Sequence, residues 1–208
     1  MHATIPAFPS GIQNLLFSGF QSGELSGALE GLIDRGAGRL LAQGMARLIE
    51  LGFGFLIADE LDSFKAKKAQ DFFEDNFVMN DAQAKGGIRY YQGQFLIRTS
   101  KAEDDMNVYI RFCPDISKLF DGDELNHHAI VSAEAITEEE AEQLEKNPNK
   151  VDLIIRFKDI KSILGLIERP DVDPVQLLLE NQVQLTGNFG HMFKFGAIGK
   201  SAQQAISG

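Results

Sequence analysis

The sequence predicts an α+β fold: a five-stranded, mostly antiparallel sheet covered by helices, with an N-terminal helical extension. Two periods predict it. Up to about residue 58 the apolar positions recur at three and four, the spacing of one helix face. Beyond residue 86 they alternate with period two in five short runs, the pattern of half-buried strands. Between the two lies a charged stretch, residues 59–86, which divides the chain into an extension, 1–85, and a second domain, 86–208.

In the extension, Ser10 is placed to cap a first segment. Leu25, Ala28, Leu29, Leu32 and Ile33 keep helical spacing, as do Leu41, Met45, Leu48 and Ile49. Gly19, Gly23, Gly27 and Gly31 form a bare stripe. Two readings fit it: close approach of another helix or a lipid, or a glycine-broken loop between shorter helices. Phe64, Phe72, Phe73 and Phe77 give the charged stretch one apolar side, so a helix is expected there, ending in a turn at Gly86 and Gly87.

The strands follow. Phe95, Ile97 and Thr99 alternate with Leu96 and Arg98; Val108, Ile110 and Phe112 alternate with Asn107, Tyr109 and Arg111. The acidic loop at 101–105 joins them as a hairpin. "HHAIVSAEA" and "VDLIIRF" supply the third and fourth strands. Thr137 and Glu140 form a capping box for a short exposed helix, ended by Asn147 and Pro148. Ile160, Ile163, Leu164 and Ile167 mark an amphipathic helix, and Asp173 with Pro174 begins another. "QVQLTG" is the fifth strand, with Val183 and Leu185 inward, and a last helix runs from Asn188.

Composition narrows the function. A formal charge of -10 repels phosphate backbones, so nucleic acid is not an expected partner. One cysteine, Cys113, rules out an internal disulfide framework. With neither a signal peptide nor a 20-residue apolar span in view, the expected location is the cytoplasm. "GAIGKS" has Lys194 where a phosphate-binding loop needs its first Gly. "DGDE" lacks the remainder of a calcium loop, and adjacent His127 and His128 point to opposite faces if they lie on a strand. Neither a nucleophile–base pair nor a metal constellation emerges, so the expectation is a protein that is not an enzyme and uses no cofactor. The last helix instead carries two apolar stripes. Phe189, Met192, Phe193 and Gly196 or Ala197 form one; Phe195, Ile198, Ala202 and Ile206 form the other. Met and Phe suit an adaptable pocket wall, although a second stripe packing on the N-terminal helices fits the spacing as well.

The run of strand, helix, short helix, "QVQLTGN" and "FGHMFKF" over 151–195 resembles the C-terminal half of the sterol carrier protein 2 family; the likeness extends more loosely to 86–208. The resemblance implies a five-stranded sheet with helices on one side and an apolar tunnel that binds lipids by burial rather than catalysis. Carried onto this chain, it places Phe189, Met192, Phe193 and Phe195 in one wall and Ile163, Leu164 and Ile167 in the opposing wall. Gly187 and Asn188 then serve the turn. The N-terminal extension departs from the minimal domain and could cap or fill the tunnel. The implied function is binding or carriage of a lipid or other hydrophobic metabolite. Two alternatives stand beside it. One is an accessory factor presenting an isoprenoid quinone-like intermediate to enzymes, with the glycine stripe and the 64–77 helix as docking surfaces for protein partners or for transient membrane contact. The other is a structural module with a filled core that forms a homodimer.

Overall fold

The computed structural model of the chain describes residues 38–57, 66–84, 86–122, 124–163 and 180–207. Helix α1 (Gly38–Ile57) and helix α2 (Ala66–Phe77) come first. Strands β1 (Val78–Asn80) and β2 (Ile88–Tyr90) form a small hairpin. Then come β3 (Gly93–Thr99), β4 (Asn107–Phe112), the two-residue strands β5 (Phe120–Asp121) and β6 (Glu124–Leu125), and β7 (Val131–Ala135). Helix α3 (Glu138–Glu145), β8 (Leu153–Phe157), β9 (Val183–Gly187) and helix α4 (Phe189–Ser207) complete the order.

The main sheet has five strands in the order β7-β4-β3-β8-β9. Its β3–β8 pair is parallel and the other three are antiparallel. All five strands expected from the alternating pattern are present. The loop at 101–105 does close the β3–β4 hairpin, through a 3-10 turn and Asp105 in the left-handed region.

Alternation gives this sheet two unlike faces. Phe95, Ile97, Val108, Ile110, Phe112, Val131, Ala133, Leu153, Phe157 and Val183 point to one side and join the larger core. Helices α1, α2 and α4 lie on that side. The α1 contact is built on small residues: Ala42 and Ala46 are buried against the sheet, flanked by Leu41, Met45 and Ile49. A Cβ on Gly38 would stand 1.7 Å from the Asp104 carbonyl oxygen, so the helix can start there only with glycine. From α2, Phe72, Phe73 and Phe77 enter the same core, with Phe77 tilted 5.6 Å from Phe112. The chain boundary placed at residue 85 falls inside the β1–β2 hairpin, and the extension's helices share the sheet's core.

The opposite face is smaller and more polar. Leu96, Tyr109, Ile136, Ala141 and Val151 form a second cluster under α3. Three arginines, Arg98, Arg111 and Arg156, also project there by the same alternation. Glu145 of α3 accepts from Arg98 at 3.0 Å and also from Arg156, while Glu138 accepts from Arg98 and, at 3.0 Å, from Asn107. Arg98 is buried, so these bonds offset the cost of taking its charge out of water. The expected capping box is present, with Thr137 Oγ1 accepting from the Glu140 N–H and Glu140 accepting from the Thr137 N–H.

Three readings of the sequence change. Residues 78–80 and 88–90 pair as a hairpin, where the charge pattern suggested only a turn, although Gly86 and Gly87 do turn it with φ of 91° and 76°. His127 and His128 lie on a 3-10 turn before β7, not on the strand. The α3 helix sits on the face opposite α1, α2 and α4, so helices flank both sides of the sheet rather than one. The glycine stripe, Leu164, Ile167 and the helix begun by Asp173 lie outside the described residues.

Candidate functional site

The last helix is fixed at its first turn. Gly187 ends β9 with φ of 121°, and a Cβ there would meet the Asp152 carbonyl oxygen at 2.3 Å. Only glycine lets β9 close this tightly on the β8 entry. The Asn188 N–H then donates to that same carbonyl at 2.9 Å. Its side-chain oxygen accepts from the Gly190 N–H at 2.8 Å, an N-cap. Strand register therefore sets where α4 begins and which way its faces point.

The inward face of α4 carries His191, Phe195 and Ile198, at the spacing i, i+4, i+7. Phe195 lies 4.8 Å from Phe95 and 6.1 Å from Phe112, and Ile198 is fully buried. Further along, Ser201 Oγ accepts from Asn76 Nδ2 at 2.9 Å, which joins α4 to α2. The Tyr91 hydroxyl lies 2.8 Å from His191 Nδ1, and His191 Nε2 lies 3.7 Å from Asp152 Oδ1. With the imidazole proton on Nε2, facing the carboxylate, Tyr91 is the donor. Lys194 Nζ lies 5.6 Å from the Tyr91 ring centroid, and desolvation lowers the pKa of its ammonium.

The outward face is apolar too. Phe193 is 71% exposed and Phe189, one turn earlier, is 53% exposed. Met192 stands at the border, partly buried against the core. The four residues expected in one wall thus divide. Phe195 and Met192 face the sheet, and Phe189 and Phe193 face away from it. Of the opposing wall, Ile163 is buried in the core beside Ile160.

Two buried groups near α4 and β4 have shifted protonation. Burial, helped by the Asp152 charge, pushes the pKa of the Tyr91 hydroxyl upward, so it stays protonated and serves as a hydrogen-bond partner. Burial likewise pushes the Cys113 thiol up to about 12, so it remains a neutral thiol near neutral pH. Among the described residues no group of three His, Cys, Asp or Glu side chains could hold a metal ion. Also among them, no helix is long and apolar enough to cross a membrane. The Tyr91–His191–Asp152 chain was not singled out from sequence. Its one available signal was the helical spacing of His191 with Phe195 and Ile198. No family model, curated protein or solved structure matches the chain.

Proposed function

We propose that the chain binds a lipid or another hydrophobic metabolite without converting it chemically, that it works in the cytoplasm, and that α4 is the helix its ligand touches. One observation carries this reading. A helix locked to the core along His191, Phe195 and Ile198 presents Phe189 and Phe193 on its other side. A single exposed apolar residue is ordinary, but two phenylalanines one turn apart on a fixed helix form a patch that a ligand or partner covers. Burying each ring is worth about 1.5–3 kcal/mol. Met192 at the border offers a flexible thioether to the same ligand. The resemblance also assigns Phe195, Ile163, Leu164 and Ile167 to the ligand's walls, but Phe195 and Ile163 pack in the sheet's core, so the patch rests on Phe189, Phe193 and Met192. The resemblance of 151–195 to sterol carrier protein 2 supports the same class of ligand. Titration with a fluorescent fatty acid tests it: saturable binding that Phe193→Asp removes supports the proposal, and equal binding by the variant overturns it.

A second reading rests on a different observation. Phe77, Phe95, Phe112 and Phe195 fill the space between sheet and helices with rings 4.8–6.1 Å apart. A core filled this way suits an interaction module whose outer phenylalanines meet a second copy of the chain, or an accessory factor that hands an isoprenoid quinone-like intermediate to an enzyme. Sedimentation equilibrium separates the first of these, since a dimer would dissociate in Phe193→Asp.

A further inference from the structure

Beside α3, residues of β3, β4 and adjoining loops line a cleft of about 380 Å³. This is within the size range of small-molecule sites, roughly 300–1,000 Å³. Its charged lining residues are Arg111 and Lys150, and among the described lining residues none is acidic. In a chain of net charge -10 this is a local reversal of sign.

Strand pairing builds the cleft. Arg111 of β4 sits between Gln94 of β3 and Ser132 of β7 in the ladder. Its guanidinium carbon lies 5.3 Å from the Tyr109 ring centroid, which holds the group in place. One nitrogen, Nη2, donates to Ser132 Oγ and to Glu134 Oε1, each at 3.1 Å. Its Nε is buried and has no hydrogen-bond partner. That atom is covered, and the side chain meets the cleft through its exposed guanidinium. Beside it, the Gln94 side-chain amide is hydrogen-bonded to the Tyr109 hydroxyl. The Tyr109 hydroxyl also reaches the Lys150 carbonyl at 2.8 Å, which places that residue at the rim. The Lys150 ammonium has no ion-pair partner among the described residues. Leu144 of α3 adds an apolar wall.

We propose that this cleft binds a small organic carboxylate with an apolar body. The exposed part of the Arg111 guanidinium donates to the carboxylate, Lys150 supplies a second cation at the rim, and Leu144 packs on the body. Glu134 pairs with Arg111, and Asp152 accepts from the Gln94 backbone N–H and acts on Tyr109, so little positive charge is left over. That favours a monocarboxylate over a phosphate dianion. The site lies on the sheet face opposite α4 and does not depend on lipid binding there.

Benzoate, hexanoate, benzamide and inorganic phosphate are the probes, each titrated into the ¹⁵N-labelled full chain and followed by amide NMR. The expected result is saturable shifts at the Gln92 and Gln94 side-chain amides with benzoate or hexanoate, and none with benzamide. Arg111→Gln is expected to weaken carboxylate binding by at least about tenfold, the loss of a charge-assisted hydrogen bond. Lys150→Gln, which touches no structural contact of the side chain, is expected to weaken it by a smaller factor while the fold is unchanged. The proposal is overturned if neither carboxylate saturates, if benzamide or phosphate binds as well as the carboxylates, or if Lys150→Gln, folded, binds as tightly as the parent.

Discussion

The two faces of one five-stranded sheet differ in what holds their cover in place. On the α1, α2 and α4 side the covering is apolar, with Phe95, Phe112 and Phe195 in mutual contact and Phe77 against Phe112. On the other side the α3 helix is held by Glu138 and Glu145 against Arg98 and Arg156 over a small cluster around Leu96 and Tyr109. The difference follows from alternation along β3, β4 and β8, where every second residue is aliphatic or aromatic and several of those between are Arg, Asn or Tyr. The first face is where the fold gets its stability. The second carries part-buried ion pairs between Arg98, Arg156 and the acids of α3.

The largest expected effect lies on the apolar face. Phe112→Ala removes the ring that meets Phe77, Phe95 and Phe195, and should cost about 3–5 kcal/mol in urea unfolding. A loss as small as that of a surface substitution would mean this face is not the core.

Alkali should act on the same face. Cys113 has a thiol pKa raised by burial from 9.0 to about 12, and the Tyr91 hydroxyl is also raised. Above pH 9 the unfolded thiol releases a proton that the folded one keeps, so the folded state binds more protons and stability falls as pH rises through the window from 9.0 to about 12. Each such group contributes a slope of about 1.4 kcal/mol per pH unit there. Cys113→Ala should therefore lose stability less steeply above pH 9 than the parent, with Tyr91 still contributing. Parallel pH profiles would contradict this.

Across the sheet, Glu145→Gln should cost about 1–3 kcal/mol, because it weakens the acceptor shared by Arg98 and Arg156. Amide exchange should quicken in α3 and leave α4 unchanged; loosening of both helices would show that the two faces are not independent. The smallest effect on stability is expected at Phe193, where the exposed ring makes Phe193→Asp nearly neutral, within about 0.5 kcal/mol.

Much of this architecture was legible in the sequence. Period two located all five strands of the sheet, because the face toward α1, α2 and α4 is apolar and residues such as Arg98, Asn107, Arg111 and Arg156 alternate with it. Thr137 and Glu140 named their own helix start, since a capping box is local chemistry. The β1–β2 hairpin was not legible: its three-residue strands are too short to show a period. In the site, spacing located α4 and separated Phe189 and Phe193 from Phe195 and Ile198, whereas the resemblance put Phe195 in one wall with the other two; both faces are apolar, and hydrophobicity cannot say which of them meets the sheet. His191 decides it. Its bond to Tyr91, from 100 residues away, turns the helix so that Phe195 goes in and Phe193 goes out. A contact over that separation leaves no trace in local pattern.

The central claim is that the outer side of α4 takes an apolar ligand. Native mass spectrometry of the purified chain, paired with analysis of its organic extract, tests it most directly. The account predicts a stoichiometric lipid or other hydrophobic molecule on the parent protein and its absence from a folded Phe193→Asp variant. A ligand-free parent whose mass does not shift on adding fatty acids, sterols or quinones would contradict it and leave the filled-core interaction module as the better reading.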